Sequence, residues 1–280
     1  MTEPTIALAL GAGGARGLAH IHALAALDEL GLKPVALAGT SIGSIMAAAY
    51  ASGMRAAEIE TFAKDRFRIG TDLLSDIWRL RPGSFAEFMK AGGPRLGELN
   101  VEKIVDVFLP AAIPATFEQL AIPLTAVATD YYAHSPAVFS AGPLKPALAA
   151  SAAVPAVFNS VIVDGTVYVD GGITNPVPFD QLAGKADIVI GIDVAGGPEG
   201  TPGKRPSKID VLYASSQLMQ RSIAKAMAQN YQVDIFLRPD VGRFRVLDFG
   251  KSIAILKHTR PFRDELKSAI EAAITAHQAA

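Results

Sequence analysis

The sequence predicts an α/β fold built on a parallel sheet, and three observations lead to this prediction. An apolar run at residues 5–10 ends in glycines and is followed by a helical pattern. A second apolar run, at residues 34–38, leads through another glycine turn into an alanine-rich helix. Residues 186–194 form a mainly apolar run of the kind that is buried in a parallel sheet. Consecutive strand–turn–helix units build parallel sheets with right-handed crossovers.

The first two units can be followed residue by residue. In the first, apolar residues recur at helical spacing over residues 18–30, and Gly31 is expected to end the helix. In the second, Pro34 opens the strand and the helix runs to about Ala51. Both units therefore have the order that a parallel sheet requires.

The rest of the chain adds helices and further strands, and we expect one domain over residues 1–280. Residues 56–109 show an amphipathic helical pattern without an obvious strand, which predicts a helical insertion and a candidate cap over the site. The remaining predicted elements are strands at 124–129, 161–163, 166–169 and 233–237, a loop at 195–206, and helices at 208–231 and 261–278. The strand at 233–237 and the two helices belong to a C-terminal segment of about residues 207–280.

Composition excludes several classes of function. Half of the 280 residues are apolar, so the chain can bury a large core. The formal net charge is −1 and no basic run occurs, which argues against a nucleic-acid partner. The absence of cysteine excludes disulfides, thiolate zinc sites and cysteine nucleophiles. The N-terminus lacks the basic region of a signal peptide, so we expect a soluble, cytoplasmic protein.

A glycine-rich turn over residues 11–17 follows the first strand. Glycines between a strand and a helix expose backbone N–H groups at the positive end of the helix dipole, so this turn is expected to bind an anion. A dinucleotide is one candidate, but the second strand ends without the acidic residue that would bind its ribose. The other candidate is the oxyanion of an acyl-transfer intermediate, held by the N–H groups of Gly13 and Gly14.

A second turn contains a serine between two glycines, in the order Gly39, Thr40, Ser41, Ile42, Gly43. A G-x-S-x-G turn presents a nucleophilic serine above a sheet, with glycines where larger side chains would clash. The alternative is a tight turn whose hydroxyl caps the next helix. If the first two strands pair, the two turns open side by side, because neighbouring strands lie only about 5 Å apart.

A nucleophilic serine needs a base, and the histidines are poor candidates. His20 and His22 lie in the first helix and are expected to pack there, while the other three lie in a loop or in polar helices (His134, His258, His277). Asp170 is the better candidate, because it directly follows an apolar strand and precedes Gly171 and Gly172. Partial burial would raise its pKa toward neutral pH. The alternative is a turn aspartate that bonds its own backbone, as is expected for Asp164. Spacing alone does not decide between the two.

These residues resemble the motifs of the bacterial patatin-like phospholipases. The resemblance runs in order through "LALGAGGARGLAHIHAL", "AGTSIGS", "PLTAVATD", "ALAASAAVPAVF", "YVDGGITNPVP" and "ADIVIGIDV", about residues 5–195. It implies a three-layer α/β/α fold with a mostly parallel sheet, and a lipid acyl hydrolase that needs neither metal nor cofactor. It also implies a dyad of Ser41 and Asp170, with the glycine turn as oxyanion hole. The supporting motif positions are Gly11, Ala12, Gly13, Gly14, Ala15, Arg16, Gly17, Gly39, Gly43, Gly171 and Gly172.

One position departs from the family pattern. The family's turn usually has glycine where this chain has Ala12, which keeps an N–H to donate but would be strained at positive φ. Arg16 matches the family's basic position, and we expect it to support the turn locally rather than to take part in catalysis.

The expected substrate is a lipid or another acyl ester, with peripheral membrane contact through residues 56–88. Two alternatives remain open, a thioesterase or short-chain esterase on the same dyad and a non-catalytic regulator. The oligomeric state is not predicted.

Overall fold

The fold is described from a computed structural model, which covers residues 3–68, 105–106, 108–110, 113–155, 157–197, 203, 205–206 and 208–279. The strands are β1 (Ile6–Leu10), β2 (Ala36–Thr40), β3 (Leu124–Asp130), β4 (Ser135–Phe139), β5 (Val161–Val163), β6 (Thr166–Asp170), β7 (Ile188–Ile192) and β8 (Ile235–Leu237). The helices are α1 (His20–Leu30), α2 (Ile42–Ala51), α3 (Ala56–Arg68), α4 (Leu144–Ser151), α5 (Lys208–Asn230), α6 (Ser252–Thr259) and α7 (Phe262–Ala279).

The strands form one mixed sheet in the order β5-β6-β3-β2-β1-β7-β8, with β4 also paired to β3. The β1–β2, β2–β3, β1–β7 and β7–β8 pairs are parallel, whereas the pairs that involve β4, β5 or β6 are antiparallel. Leu10 is opposite Gly39 in β2 and Ile192 in β7, so the carboxyl ends of these strands lie at one edge. The predicted α/β fold with a mostly parallel sheet flanked by helices is confirmed.

The two faces of the sheet carry different side chains, because successive strand residues point to opposite sides. Leu8 and Leu10 belong to the larger core, which α1, α2, α3, α4, α6 and α7 cover. Ala7 and Ala9 point to the other face, where a short turn of 3₁₀-helix (Phe179–Leu182) and Ala224 of α5 cover the sheet. Small side chains on this second face let its covering layer pack closely.

The predicted elements do not include β4 or α4, and each omission has a physical reason. In β4, partly buried residues alternate with exposed ones and the strand lies off the main path of the sheet, so it lacks the apolar run of a central strand. The helix α4 contains Pro146, which reads as a helix breaker in sequence. Proline is tolerated there because the N–H groups of a first helical turn have no partner within the helix.

Of the predicted helical insertion at residues 56–109, only the ends lie in the described part of the chain. The first part forms α3, whose Ile59 and Phe67 are buried in the larger core. Residues 69–104 and 107 of this predicted cap lie outside the described residues, as does part of the loop at 195–206. Within the described ranges, no helix combines the length and the apolar character needed to cross a bilayer.

Candidate active site

Ser41 lies at the sharp turn between β2 and α2. Its backbone has φ 57° and ψ −128°, a left-handed conformation that non-glycine residues rarely adopt. The turn needs its two glycines for space, since a Cβ on Gly39 would overlap the backbone of Ser44 and one on Gly43 would overlap the Leu10 carbonyl. Ser44 also donates to the Ser41 carbonyl from its amide (2.9 Å) and its hydroxyl (2.7 Å). The turn therefore has the form of a nucleophile elbow.

Strand pairing brings Asp170 next to this serine. Along one edge of β3, β4 pairs with residues 126–130. Because a strand has only two edges, β2 and β6 must share the other. Thr40, the last residue of β2, is opposite Val127, and Asp170, the last residue of β6, is opposite Ala128. The ends of the two strands thus meet on consecutive residues of β3, with Ser41 immediately beyond Thr40.

Asp170 is buried, with 5% of its surface exposed. Its amide donates to the Ala153 carbonyl (2.9 Å), and its Oδ1 accepts a hydrogen bond from the Gly172 amide (2.7 Å). Burial raises the pKa of Asp170 to about 6, against the opposing effects of the Ser41 hydroxyl and the Gly172 amide. A carboxylate with this pKa is a stronger base than an exposed aspartate and is still mostly ionised at pH 7.

The second carboxylate oxygen of Asp170 has no well-formed partner. Among the described residues, no donor completes a hydrogen bond of normal geometry to the buried Oδ2. The Ser41 hydroxyl nevertheless lies close enough to lower the pKa of this carboxyl group. Catalytic hydrogen bonds are often long before the substrate binds. The Asp170 carboxylate thus lies near the Ser41 hydroxyl, with no well-formed hydrogen bond to its Oδ2.

The glycine-rich turn after β1 lies beside the elbow, and its amides fall into two groups. The N–H groups of Gly11, Ala12 and Ala15 donate to backbone carbonyls at 2.7–2.9 Å. Those of Gly13 and Gly14 have no acceptor within the residues described. Gly14 has φ 58°, and a Cβ there would overlap the Val246 carbonyl. The unpaired amides belong to the two glycines that the sequence marks as oxyanion donors.

Ala12 and Arg16 both support this turn. Ala12 is not among the described residues with positive φ, so the expected strain does not arise. Its amide donates to Pro176, however, so the prediction that it stays available as a donor is wrong. The Arg16 guanidinium is buried and donates from Nε to the Gly13 carbonyl (3.2 Å) and from Nη1 to Gln217 Oε1 (3.1 Å). These contacts connect the turn to α5, and the supporting role of Arg16 stays a prediction.

The glycines that flank Ser41 and Asp170 also bring elements together. A Cβ on Gly17 would overlap Ile42, the first residue of α2, so this glycine lets the turn after β1 pack against the elbow. A Cβ on Gly171 would overlap the Val127 carbonyl and lie 2.9 Å from Thr40 Cγ2. The Gly172 amide donates a hydrogen bond to Asp170 Oδ1, and a Cβ on Gly172 would lie only 2.9 Å from that oxygen. Each glycine permits a contact that fixes one part of the site relative to another.

The histidines lie where packing or solvent accounts for them. His20 is fully buried with Nε2 2.8 Å from the Gly11 carbonyl, and burial lowers its pKa to about 4. His22 is buried as well, with Nε2 2.8 Å from the Leu256 carbonyl. His134 lies in the turn between β3 and β4, His258 contacts Asp240, and His277 is exposed near the end of α7. The described contacts pair none of them with Ser41.

A small apolar cavity opens at Ser41. Its volume is about 50 Å³, and its walls include Gly14, Ile45, Phe108, Phe158, Leu247 and Phe249. Phe108 and Phe249 pack edge to face with ring centroids 5.1 Å apart, and both also contact Phe67. In the described ranges, no group of three or more acidic or histidine side chains is arranged to hold a metal ion.

Sequence reasoning missed three residues that support the site. Ser151 accepts a hydrogen bond from the Ser41 amide (2.8 Å), and Thr129 donates to the Asp170 carbonyl (3.0 Å). Gly196 leaves space for the Arg16 guanidinium, which a Cβ there would overlap. None has a local motif. The nearest signal is that Ser151 and Thr129 lie in stretches that carry the family resemblance, "ALAASAAVPAVF" and "PLTAVATD".

A family model described as patatin-like phospholipase matches residues 8–183, which include both Ser41 and Asp170. The chain belongs to the patatin-like phospholipase family. This confirms the family resemblance, and membership in the patatin-like phospholipases supports a lipid hydrolase in general.

Relatives of this patatin-like chain are longer proteins. An uncharacterised NTE family protein of Mycobacterium tuberculosis is 39% identical over 200 residues, which is 71% of this chain and 51% of that protein. Human patatin-like phospholipase domain-containing protein 6 is 29% identical over 278 residues, or 90% of this chain and 19% of that protein. The chain thus spans about half, or less, of these curated relatives. The structure of VipD from Legionella pneumophila has a TM-score of 0.52 at 14% identity, covering 95% of this chain and 67% of that chain, which shows likeness of fold.

Proposed function

We propose that this protein is a serine-dependent acyl hydrolase that cleaves carboxylic esters of lipids, with Ser41 as nucleophile and Asp170 as base. The observation that carries the proposal is the buried Asp170 carboxylate beside the Ser41 elbow, where β2 and β6 meet on β3. Membership of the patatin-like phospholipase family supports lipids as the substrate class.

In the acylation step, Asp170 accepts the hydroxyl proton as Ser41 Oγ attacks the ester carbonyl carbon. The carbonyl oxygen becomes an oxyanion, which the amides of Gly13 and Gly14 bind. Collapse of this intermediate breaks the bond to the alcohol, and the leaving oxygen takes the proton from Asp170. The products of the step are the free alcohol and an acyl ester on Ser41.

Deacylation repeats the sequence with water. Asp170 is again ionised and accepts a proton from a water molecule that attacks the acyl carbonyl carbon. The same two amides hold the second oxyanion. When the bond to Ser41 Oγ breaks, the proton on Asp170 returns to the serine and the carboxylic acid leaves. The cycle uses one water molecule per ester.

The test is fatty-acid release from phosphatidylcholine vesicles by the wild-type protein, Ser41→Ala and a matched control, Ser52→Ala. In the described part of the chain, the Ser52 hydroxyl donates to the Ala49 carbonyl at the end of α2 (2.7 Å) and contacts no residue of the site. We expect release from the wild type and Ser52→Ala, and none above background from Ser41→Ala. Equal release from all three proteins would contradict the assignment of the nucleophile. A regulator without chemistry predicts no Ser41-dependent release from any ester.

The small cavity favours a second candidate, a short-chain esterase or thioesterase on the same dyad. A volume of about 50 Å³ holds only a few water-sized groups, because one water needs roughly 10–15 Å³. The Phe108 and Phe249 rings form part of the cavity wall. A series of p-nitrophenyl esters and thioesters from acetyl to palmitoyl separates the candidates. A maximum at short chains favours the second candidate, and a maximum at long chains favours the lipid hydrolase.

We also propose that the protein contacts its lipid substrate at a surface. Three exposed apolar side chains follow elements of the site, Ile173 after the Asp170 turn and Tyr131 and Tyr132 after β3. Tyrosine is favoured where an apolar environment meets water. Replacing Tyr132, which is 75% exposed, by serine should weaken sedimentation with phosphatidylcholine vesicles. Unchanged sedimentation would contradict a role for this side chain.

A further inference from the structure

We propose that Ser151 is a positioning residue that, with the backbone next to it, fixes Ser41 against Asp170. The proposal rests on the proposed function, because it assumes that these two residues react together. Ser151 itself touches neither substrate nor the reacting atoms. It acts through the backbone of the elbow.

The Ser151 hydroxyl links two parts of the sheet. It is fully buried at the end of α4, accepts a hydrogen bond from the Ser41 amide (2.8 Å) and donates one to the Val127 carbonyl (2.6 Å). The directions are fixed, since an amide only donates and a carbonyl only accepts. The hydroxyl therefore ties the elbow to the residue of β3 that pairs with the end of β2.

The same short segment also holds the proposed base. The Ala153 carbonyl accepts the hydrogen bond of the Asp170 amide at 2.9 Å. Residues 151–153 thus bond to the backbone of both Ser41 and Asp170. A shift of this segment relative to β3 would change the separation of the two reacting side chains. The end of α4 is a clamp that sets this separation.

The clamp matters because the elbow is strained. The φ of 57° at Ser41 is unfavourable for a residue with a Cβ, and such conformations persist only where surrounding contacts hold them. Ser44 holds the carbonyl of Ser41, and Ser151 holds its amide. Removing the Ser151 hydroxyl leaves a buried amide without an acceptor, which favours a relaxed turn.

A relaxed elbow should leave two kinetic signatures. A misplacement of about 1 Å can lower the rate by about 10²-fold while binding is little changed. The second signature comes from Asp170, whose pKa the Ser41 hydroxyl lowers. If the serine moves away, that pKa rises, so the acid limb of the activity profile moves to higher pH. The pKa of Asp170 is set by its burial, the Ser41 hydroxyl and the Gly172 amide, and no charged side chain of the described residues shifts it.

The test compares wild type, Ser151→Ala and Ser52→Ala on a soluble short-chain ester. We expect Ser151→Ala to keep the KM of the wild type, to lose about 10- to 100-fold in kcat, and to show an acid limb at higher pH. Labelling of Ser41 by a fluorophosphonate should slow by a similar factor. Ser52→Ala should behave as the wild type. If Ser151→Ala does not fold, Ser151→Cys keeps the size while weakening the hydrogen bond, and Ser151→Thr keeps the hydroxyl.

The outcomes separate positioning from a purely structural role. A variant with lower thermal stability but wild-type kcat and acid limb would overturn the proposal. Equal kcat values for Ser151→Cys and Ser151→Thr would also overturn the proposal, because only the threonine variant keeps a hydroxyl. Wild-type protein that neither hydrolyses the ester nor labels at Ser41 would instead overturn the proposed function, and with it the clamp.

Discussion

Strand β6 carries an aspartate followed by glycine at each end, and the two pairs differ in almost every physical respect. Asp164 and Gly165 form the hairpin turn before the strand, where Asp164 is exposed and has φ 49°. Asp170 is the last residue of the strand and Gly171 follows it, and here the aspartate is buried with φ −48°. The same dipeptide thus forms a solvent-exposed turn at one end and the candidate base at the other.

The comparison shows that burial, rather than the dipeptide, distinguishes the two sites. The sequence predicts that the Asp164 side chain forms a hydrogen bond with the backbone of its own turn, and this prediction is wrong. In the described residues the Asp164 side chain makes no hydrogen bond, whereas Asp170 accepts one from Gly172 two residues on. Asp170 therefore has the structural bond and a second oxygen left for Ser41. Asp170 can therefore bond the backbone of its own turn and also serve as the proposed base.

The largest expected difference is in catalysis. Asp170→Asn removes the proposed base while keeping the shape, and we expect the rate of ester hydrolysis to fall by about 10³-fold. Asp164→Asn should leave the rate unchanged, because asparagine tolerates the same positive φ. Initial rates on one soluble ester measure both variants. Full activity of Asp170→Asn would exclude it as the base.

The next effect is on pH dependence. With a pKa of about 6, Asp170 should lose its ability to accept a proton as the pH falls below that value. We expect kcat/KM to fall about tenfold per pH unit on the acid side, since a protonated carboxyl cannot act as base. Asp164→Asn should give the same profile as the wild type. An acid limb near pH 4 would indicate a base that is not buried.

Asp170→Asn should raise the stability of the protein although it lowers the activity. A carboxyl group whose pKa rises from 3.8 to about 6 on folding destabilises the folded state above pH 6 by about 3 kcal/mol, and the cost disappears below the unfolded pKa. Asp170→Asn has no such cost, so its Tm at pH 7 should exceed that of the wild type by about 5–10 °C. The difference should shrink toward pH 4. Asp164→Asn should shift Tm little at either pH.

The smallest effect belongs to the exposed turn. Gly165 has φ 81°, and nothing lies within 4 Å of a Cβ placed on it. Gly165→Ala should therefore lower the free energy of unfolding by about 1 kcal/mol through backbone strain alone. Ester hydrolysis should stay at the wild-type rate. Denaturant unfolding measures the first quantity, and a large loss of activity would contradict the separation of the two turns.

Sequence patterns predict those parts of the site that are local in the chain. The elbow at Ser41, the glycine turn and the Asp170 turn each have a short motif, and the pairing of β1 with β2 follows from their order. Ser151 could not be predicted in this way, because its partner is 110 residues away and a serine in an alanine-rich helix has no distinguishing pattern. The same limit explains why the sequence did not show that the Ala12 amide is already paired with Pro176.

The proposed dyad of Ser41 and Asp170 is tested most directly by the pH dependence of fluorophosphonate labelling, followed by mass spectrometry of the labelled peptide. This reaction needs an activated serine but no particular lipid. We expect one label on Ser41, a labelling rate that is half-maximal near pH 6, and a strong loss of rate in Asp170→Asn but not in Asp164→Asn. A label on another residue, or equal rates in Asp170→Asn and the wild type, would contradict it.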